Sequence, residues 1–157
     1  MLMALAIPSY QYVVTDNRMA GEVNDLLTAM QYARAEAIKE GNDVVVCSST
    51  NGTACSGAPK WQTGWIVFSD PDNNGTLEAG EAILQYHNAF TGTDTFVSAD
   101  NSTSAVQFSR DGFAVGLATP PVYVALHNNT ASSTYTRCLQ ISIVGALTTV
   151  PYGGSCL

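Results

Sequence analysis

The sequence is poor in basic residues and has no long apolar run. Lys and Arg number 6 against 13 Asp and Glu, which gives a formal net charge of −7 and a pI near 4.4. Nonspecific binding to nucleic acid or to anionic lipid depends on clustered cations, so this balance disfavours both. Residues 1–7 are wholly apolar but stop at Pro8, short of the ~20 residues that span a bilayer.

Histidine is scarce, and no sequence-local catalytic pattern is present. The chain contains neither G-x-S-x-G nor H-E-x-x-H, and it has no glycine-rich phosphate loop. His87 and His127 each end a strand-like run, and we interpret both as surface or hydrogen-bonded sheet residues. We therefore predict a protein that is not an enzyme.

The four cysteines form no C-x-x-C pair, which leaves zinc and thioredoxin chemistry poorly supported. An even number of cysteines favours disulfides and hence an oxidising compartment. Three pairings are possible, and the sequence alone does not choose among them. Our prediction is the two local pairs, Cys47 with Cys55 and Cys138 with Cys156, because they would close short loops.

The 157 residues suffice for one core and one domain. Between Ser9 and about Lys39, Gly21 alone interrupts a segment free of Pro and Gly, and apolar residues recur at three- and four-residue steps. These residues are Val23, Leu26, Leu27, Met30, Ala33, Ala37 and Ile38. The pattern predicts an amphipathic helix that ends at Gly41. At ~45 Å it is longer than a small domain needs, so we expect its first half to project beyond the core.

After Gly41 the pattern changes to short β-rich runs separated by turn residues. The predicted strands cover 43–47, 64–69, 82–87, 95–98, 105–110, 121–127 and 136–144. One long helix followed by strands predicts an α+β fold, with the helix packed on antiparallel β-sheets. Strand-like positions predict core roles for five aromatic residues, Trp61, Trp65, Phe68, Tyr86 and Phe108.

The order of these signals resembles the GspH/FimT family of type IV minor pilins and pseudopilins. The resemblance covers residues 4 to about 84 and weakens afterwards. It is carried by ALAIPSYQ (4–11), NDLLTAMQYARAEAIKEGNDVVVC (24–47), W-x-x-GWIVFSD (61–70), DNNG (72–75) and AGEAIL (79–84).

The resemblance implies a single pilin-like domain, with a helix over 1–40 and a β-rich head over 41–157. Such proteins are made with a cleaved leader and a methylated N-terminus, and a hydrophobic helix holds them in the inner membrane with a periplasmic head. They then assemble with other pilins or pseudopilins into a type IV pilus, as initiation or tip subunits, or into a type II secretion pseudopilus. Residues 1–8 would be the remnant of that helix, with Leu2, Leu5, Ile7 and Pro8 as its assembly residues.

One branch of the family receives DNA during natural transformation, through a Gly-Arg-x-Arg motif that follows an Ile-Ser strand. Here ISIVGALTTV (141–150) keeps Gly145 but has Ala146 and Thr148 at the arginine positions, so DNA capture is disfavoured. As an alternative function, DNA binding would rely on Arg110 or Arg137. A ligand-binding, adhesin-like tip module using loops 99–105 and 128–135 is a further alternative.

The acidic segment 70–81 fits the calcium-loop pattern D-x-[DN]-x-[DN]-G-x₅-E. Asp70, Asp72 and Asn74 would be side-chain ligands, Thr76 a carbonyl ligand and Glu81 the bidentate ligand. Such loops usually join two helices, whereas this one joins two strand-like runs. A polar Asn-Gly hairpin with solvated acids explains the same residues. Calcium, in a structural role, is the one cofactor that the sequence suggests.

Overall fold

A computed structural model of the chain describes residues 6–156 and shows one long helix followed by β-strands. The predicted residues Leu2 and Leu5 lie outside the described part, as do the side chains of Ile7 and Pro8. The elements are α1 (Ala6–Glu40), β1 (Asp43–Ser48), β2 (Trp65–Asp70), β3 (Ile83–His87), β4 (Thr95–Ser98), β5 (Ala105–Phe108), β6 (Ala114–Val115), β7 (Val122–His127), β8 (Arg137–Ile141) and β9 (Leu147–Pro151). The α+β prediction is confirmed.

Helix α1 packs on the strands along one stripe that begins at Met19. The stripe consists of Met19, Val23, Leu26, Met30, Ala33 and Ala37, all of them buried. Steps of three and four residues place them on one side of a helix with 3.6 residues per turn. The helix ends at Gly41, whose φ of +71° closes the last turn through a 3.0 Å bond from its N–H to the Ala37 carbonyl.

The strands form two antiparallel sheets that share the helix. The first sheet has the order β3-β2-β1-β5-β6, and the second has the order β4-β7-β8-β9. Strand β1 lies at the centre of the first sheet, where Val45 is paired with Phe68 of β2 on one side and Gln107 of β5 on the other. A register shift between Val67 and Phe68 bends β2 against β3.

Strand β1 is buried on both of its faces. Val44 and Val46 belong to the main core with the helix stripe, whereas Val45 and Cys47 pack with Ile66 and Phe68 on the opposite face. Side chains alternate across a strand, so this division follows from the period of two. Covering both faces explains why this strand is apolar throughout rather than alternating.

Two disulfides fasten the periphery to these sheets. Cys47 on β1 bonds to Cys55, with Cα atoms 5.6 Å apart, and holds the loop after β1 on the outer face of the first sheet. Cys138 on β8 bonds to Cys156, at a Cα separation of 5.7 Å, and ties the end of the chain to the second sheet. These are the two local pairs expected from the sequence.

Several details differ from the sequence-based expectations. The side chain of Tyr86 is 43% exposed because β3 is an edge strand, so its predicted core role is wrong. Ile38 is 55% exposed and lies off the buried stripe. Two strands, β6 and β9, were not predicted, and the predicted run 136–144 stops being a strand at Ile141.

Within residues 6–156, no helix combines the length and the apolar character that crossing a membrane requires. The part of α1 before Asp16 extends past the packed stripe. From Tyr10 to Val14 its residues are exposed, as expected for a helix that outgrows its core.

Removing either disulfide should destabilise the head by about 3 kcal/mol, because loops with sequence separations of 8 and 18 residues would no longer be closed in the unfolded chain. The double variants Cys47→Ala/Cys55→Ala and Cys138→Ala/Cys156→Ala should each lower the melting temperature by about 6–12 °C. Calorimetry of the oxidised variants checks this. An unchanged melting temperature in either variant would contradict it.

Candidate functional site

The projecting part of α1 carries an exposed apolar surface. Tyr10 is 72% exposed, and Tyr12, Val13 and Val14 are also largely exposed. The Tyr12 ring lies 5.5 Å from that of Tyr135 in the head, centroid to centroid. Exposed apolar side chains grouped on one helical segment mark an interaction surface.

Two ion pairs link the helix to the head just beyond this surface. The Arg137 guanidinium lies 2.8 Å from Asp16 and also donates to the carbonyls of Thr134 and Thr136. Arg18 lies 2.8 Å from the buried carboxylate of Asp94, which precedes β4. Together they connect the helix to both the β7–β8 loop and the start of β4, and so help to fix the direction in which its first half projects.

Few of the six basic residues are available for a ligand. Besides Arg18 and Arg137, Lys39 is paired with Glu36 at 2.8 Å. Arg110, one of the two residues named for DNA binding, lines a polar cleft of about 370 Å³ together with Asp43 and Asp111. Arg137, the other, is held by Asp16. The structure thus does not bring these two arginines together as a basic patch, and phosphate binding requires such a patch.

Gly145, which the sequence resemblance matched to the glycine of a Gly-Arg-x-Arg motif, lies at a point of close backbone approach. A Cβ atom built on it would be 2.1 Å from the Gly112 carbonyl oxygen and 2.9 Å from Arg34 Nε. Arg34 on α1 donates to the same carbonyl at 2.8 Å and to the Val144 carbonyl at 3.3 Å. Gly145 therefore lets two loops meet at one helical arginine. This is a structural role that does not involve a ligand.

The acidic loop after β2 brings three of the predicted calcium ligands together. Carboxylate oxygens of Asp70, Asp72 and Glu81 lie within 4.8 Å of one another. Asp70 is buried and accepts bonds from the backbone N–H groups of Asn74 and Gly75, at 3.2 and 2.8 Å. Burial raises the pKa of the Asp70 carboxyl, and Asp72 and Glu81 raise it further, against the bonds from Gly75 and Asn74.

Many side-chain oxygens of this loop accept hydrogen bonds from other residues of the same loop. The Asn74 side-chain oxygen accepts bonds from the N–H and hydroxyl of Thr76, and the Asn74 amide donates to Asp72 at 2.8 Å. Glu81 accepts a 2.8 Å bond from the Glu78 N–H. These contacts are those of a self-capped polar hairpin. Calcium at Asp70, Asp72, Asn74, Thr76 and Glu81 stays a prediction.

Sequence reasoning missed the residues that join helix and head. Arg34, Arg18 and Asp94 contact groups about 75 or more residues away, and no local pattern identifies such partners. The one signal for Arg34 is its position beside Ala33, next to the buried stripe. The two histidines have the expected sheet roles, since His87 stacks on Trp65 at 4.0 Å and His127 bonds to the Thr136 hydroxyl at 3.0 Å.

Comparison with known proteins gives one family and one fold. The family described as type II transport protein GspH matches residues 22–145. The chain is similar to crystal structures of the type IV minor pilin FimU of Pseudomonas aeruginosa strain PAO1. For the crystal form in space group P21, the TM-score is 0.65 at 23% identity, over 86% of this chain and 90% of FimU. For the P65 form, the TM-score is 0.62 at 23% identity, over 84% and 92%. No curated protein matches the chain.

Replacing Gly145 by alanine should cost more stability than the same change at Gly116. Both glycines have nearly the same left-handed φ, +71° and +72°, but a Cβ on Gly116 meets no atom within 4 Å. Both variants should lose ~1–2 kcal/mol to backbone strain, and Gly145→Ala should lose a further ~1–3 kcal/mol to the collision. Urea unfolding measures the difference. Equal losses of stability would show that the close approach of residue 145 to the Gly112 carbonyl does not contribute to the free energy of unfolding.

If the acidic loop binds calcium, millimolar calcium should raise the melting temperature and EGTA should reverse the rise. Asp72→Asn or Glu81→Gln should abolish the effect, because each removes a converging carboxylate. Glu78→Gln is the matched control, since it removes an equal charge from the same loop outside the cluster. A stabilisation that survives both test variants, or no stabilisation of the unmodified chain, would eliminate this calcium site.

Proposed function

This chain belongs to the GspH family, and we propose that it is a minor pilin or pseudopilin, a structural subunit that assembles through α1 into a type IV pilus or a type II secretion pseudopilus. The family match over residues 22–145 supports this class of protein. The observation that carries the assembly role is the exposed apolar surface from Tyr10 to Val14 on the projecting part of the helix.

Charge along the helix divides it into two functional parts. No charged residue occurs before Asp16, whereas Asp16 and Arg18 both pair with the head. The uncharged part can bury its apolar side chains against neighbouring helices at no cost in charge desolvation. Fully burying a Val or Tyr side chain contributes about 1.5–3 kcal/mol. Assembly through the first part therefore does not require the two ion pairs, Asp16 with Arg137 and Arg18 with Asp94, to break.

The same division supports a membrane-anchored state before assembly. Residues 1–15 are uncharged and begin with seven apolar residues, so this end of the helix can partition into lipid. The two disulfides fit a head that matures in an oxidising compartment such as the periplasm. We accordingly propose an inner-membrane anchor and a periplasmic head, with other pilins or pseudopilins as partners.

The charges give no support to the alternative of DNA capture. The net charge is −7, and Arg137 is already held by an acidic residue. Arg110 shares its cleft with two aspartates. A phosphate backbone approaching Arg110 would meet negative potential from these aspartates.

Polar replacement of the exposed valines should block assembly without unfolding the head. In cells that make the full-length protein, Val13→Ser/Val14→Ser should reduce incorporation into sheared filaments at least tenfold, since each valine loses ~1 kcal/mol or more of burial. Immunoblots of the filament and membrane fractions measure this. The melting temperature of the purified chain should change little, because both side chains are exposed.

The matched control is Gln11→Ser/Asn17→Ser, which alters two exposed polar residues of the same helical segment. This variant should assemble as the unmodified protein does. A second test replaces residues 1–8 by polar residues. Normal incorporation of both the valine variant and the 1–8 variant would refute assembly through this helix.

A further inference from the structure

Two carboxyl groups face one arginine where α1 meets the head. The side chain of Asp94 is 1% exposed, and its oxygens lie 2.8 and 3.1 Å from Arg18 Nη2. Glu22, one helical turn after Arg18, has a side chain that is 13% exposed, and its Oε1 lies 4.0 Å from Arg18 Nε. Arg18 thus contacts Asp94 through one guanidinium nitrogen and reaches Glu22 only at the limit of an ion pair.

The second oxygen of Glu22 has no hydrogen-bond partner in the part of the chain that the structure describes, although it is buried. An ionised carboxylate in this position is costly, because it is desolvated and lies beside a second negative charge. A protonated carboxyl would instead donate a hydrogen bond to Asp94 and leave one negative charge for Arg18. With one proton bound, the cluster has one negative and one positive charge. Without that proton it has two negative charges and one positive charge.

Near Glu22 lie two further ionisable groups, Asp25 and His87, which contact each other. Asp25, on the same helix, lies 3.5 Å from His87 Nε2 of β3 through its carboxylate. His87 Nδ1 faces the Asn88 carbonyl at 2.7 Å, and a carbonyl can only accept, so Nδ1 carries a proton. Glu22, Tyr86 and His87 line one cavity of about 330 Å³ with residues 88–91.

We propose that Glu22, Asp94 and Arg18 form a proton-operated latch between α1 and the start of β4, which closes when Glu22 takes up a proton and loosens when it is released. The latch is a property of this chain alone and does not depend on the proposed assembly role. It acts at the boundary between the packed and projecting parts of the helix. Its state therefore affects how firmly the projecting part is held.

The direction of the pH effect follows from the free energies of the two states. Burial raises the pKa of Glu22 from 4.5 to about 7, the Asp94 charge adds to this, and Arg18 opposes it. The folded chain therefore holds a proton that the unfolded chain has already released between those pH values. Stability from this group is fully present below about pH 4.5 and is lost as the pH rises to about 7.

The test compares the 157-residue chain with Glu22→Gln, which imitates the protonated group at every pH. Carboxyls that do not interact with Glu22 contribute alike in both proteins, so the difference in melting temperature reports on Glu22 and the groups beside it. We expect Glu22→Gln to gain about 4 °C relative to the unmodified chain between pH 5 and pH 7.5. Glu36→Gln is the matched control, because Glu36 is on the same helix but pairs with Lys39, and its difference should stay constant.

A site-specific measurement separates the latch from general effects of charge. The carboxyl carbon of Glu22, followed by NMR, should titrate near neutral pH, and in Asp94→Asn its midpoint should fall because the second negative charge is gone. Titration of Glu22 with the ordinary surface glutamates would overturn the proposal. A constant melting difference between Glu22→Gln and the unmodified chain across pH 5–7.5 would do so as well.

Discussion

The packing of one helix stripe against two sheets is the constraint on which the rest of the structure depends. The second half of α1 supplies the common core of both sheets, so its buried positions must fit two surfaces at once. Three of these positions are occupied by small residues, since Ala29, Ala33 and Ala37 recur every four residues and are all buried. Larger residues of the same core, such as Met19 and Leu26, lie nearer the projecting end of the helix. Apolar burial of this kind is the main favourable contribution to folding.

Apolar packing has little directional preference, so polar contacts set the orientation of the helix. Asp16 with Arg137 and Arg18 with Asp94 fix one end, and Arg34 with the carbonyls of Gly112 and Val144 fixes the other. Partly exposed ion pairs contribute only ~0–1 kcal/mol to stability. Their effect here is to select one rotation and register of the helix among several that would bury similar apolar area. The buried Asp94 is the exception, because it lies beside Glu22 as well as Arg18.

Periodic patterns predicted most of this fold, and contacts between distant residues were beyond them. The helix, seven strands and the α+β class followed from spacing, and the α+β fold is confirmed by the likeness to FimU. Strand β6 was missed because it has two residues, and β9 because Leu147–Pro151 ends in proline, which strands rarely contain. Tyr86 was assigned to the core because alternation does not tell an edge strand from a central one. The meeting of Glu22 with Asp94 depends on how the β3–β4 loop folds back on the helix, which no local signal encodes.

Gly145 shows why a motif residue must be read in its structural setting. In the DNA-receiving branch a glycine precedes two arginines, and here the glycine stands without them. The structure supplies an independent reason for it, because any side chain at Gly145 would collide with the Gly112 carbonyl that Arg34 also contacts. The glycine therefore belongs to the way two loops close over the helix, whereas arginines at positions 146 and 148 would serve a ligand. A fold can require the glycine for loop closure without having the arginines for a ligand. The glycine at position 145 is therefore evidence for the shared fold alone.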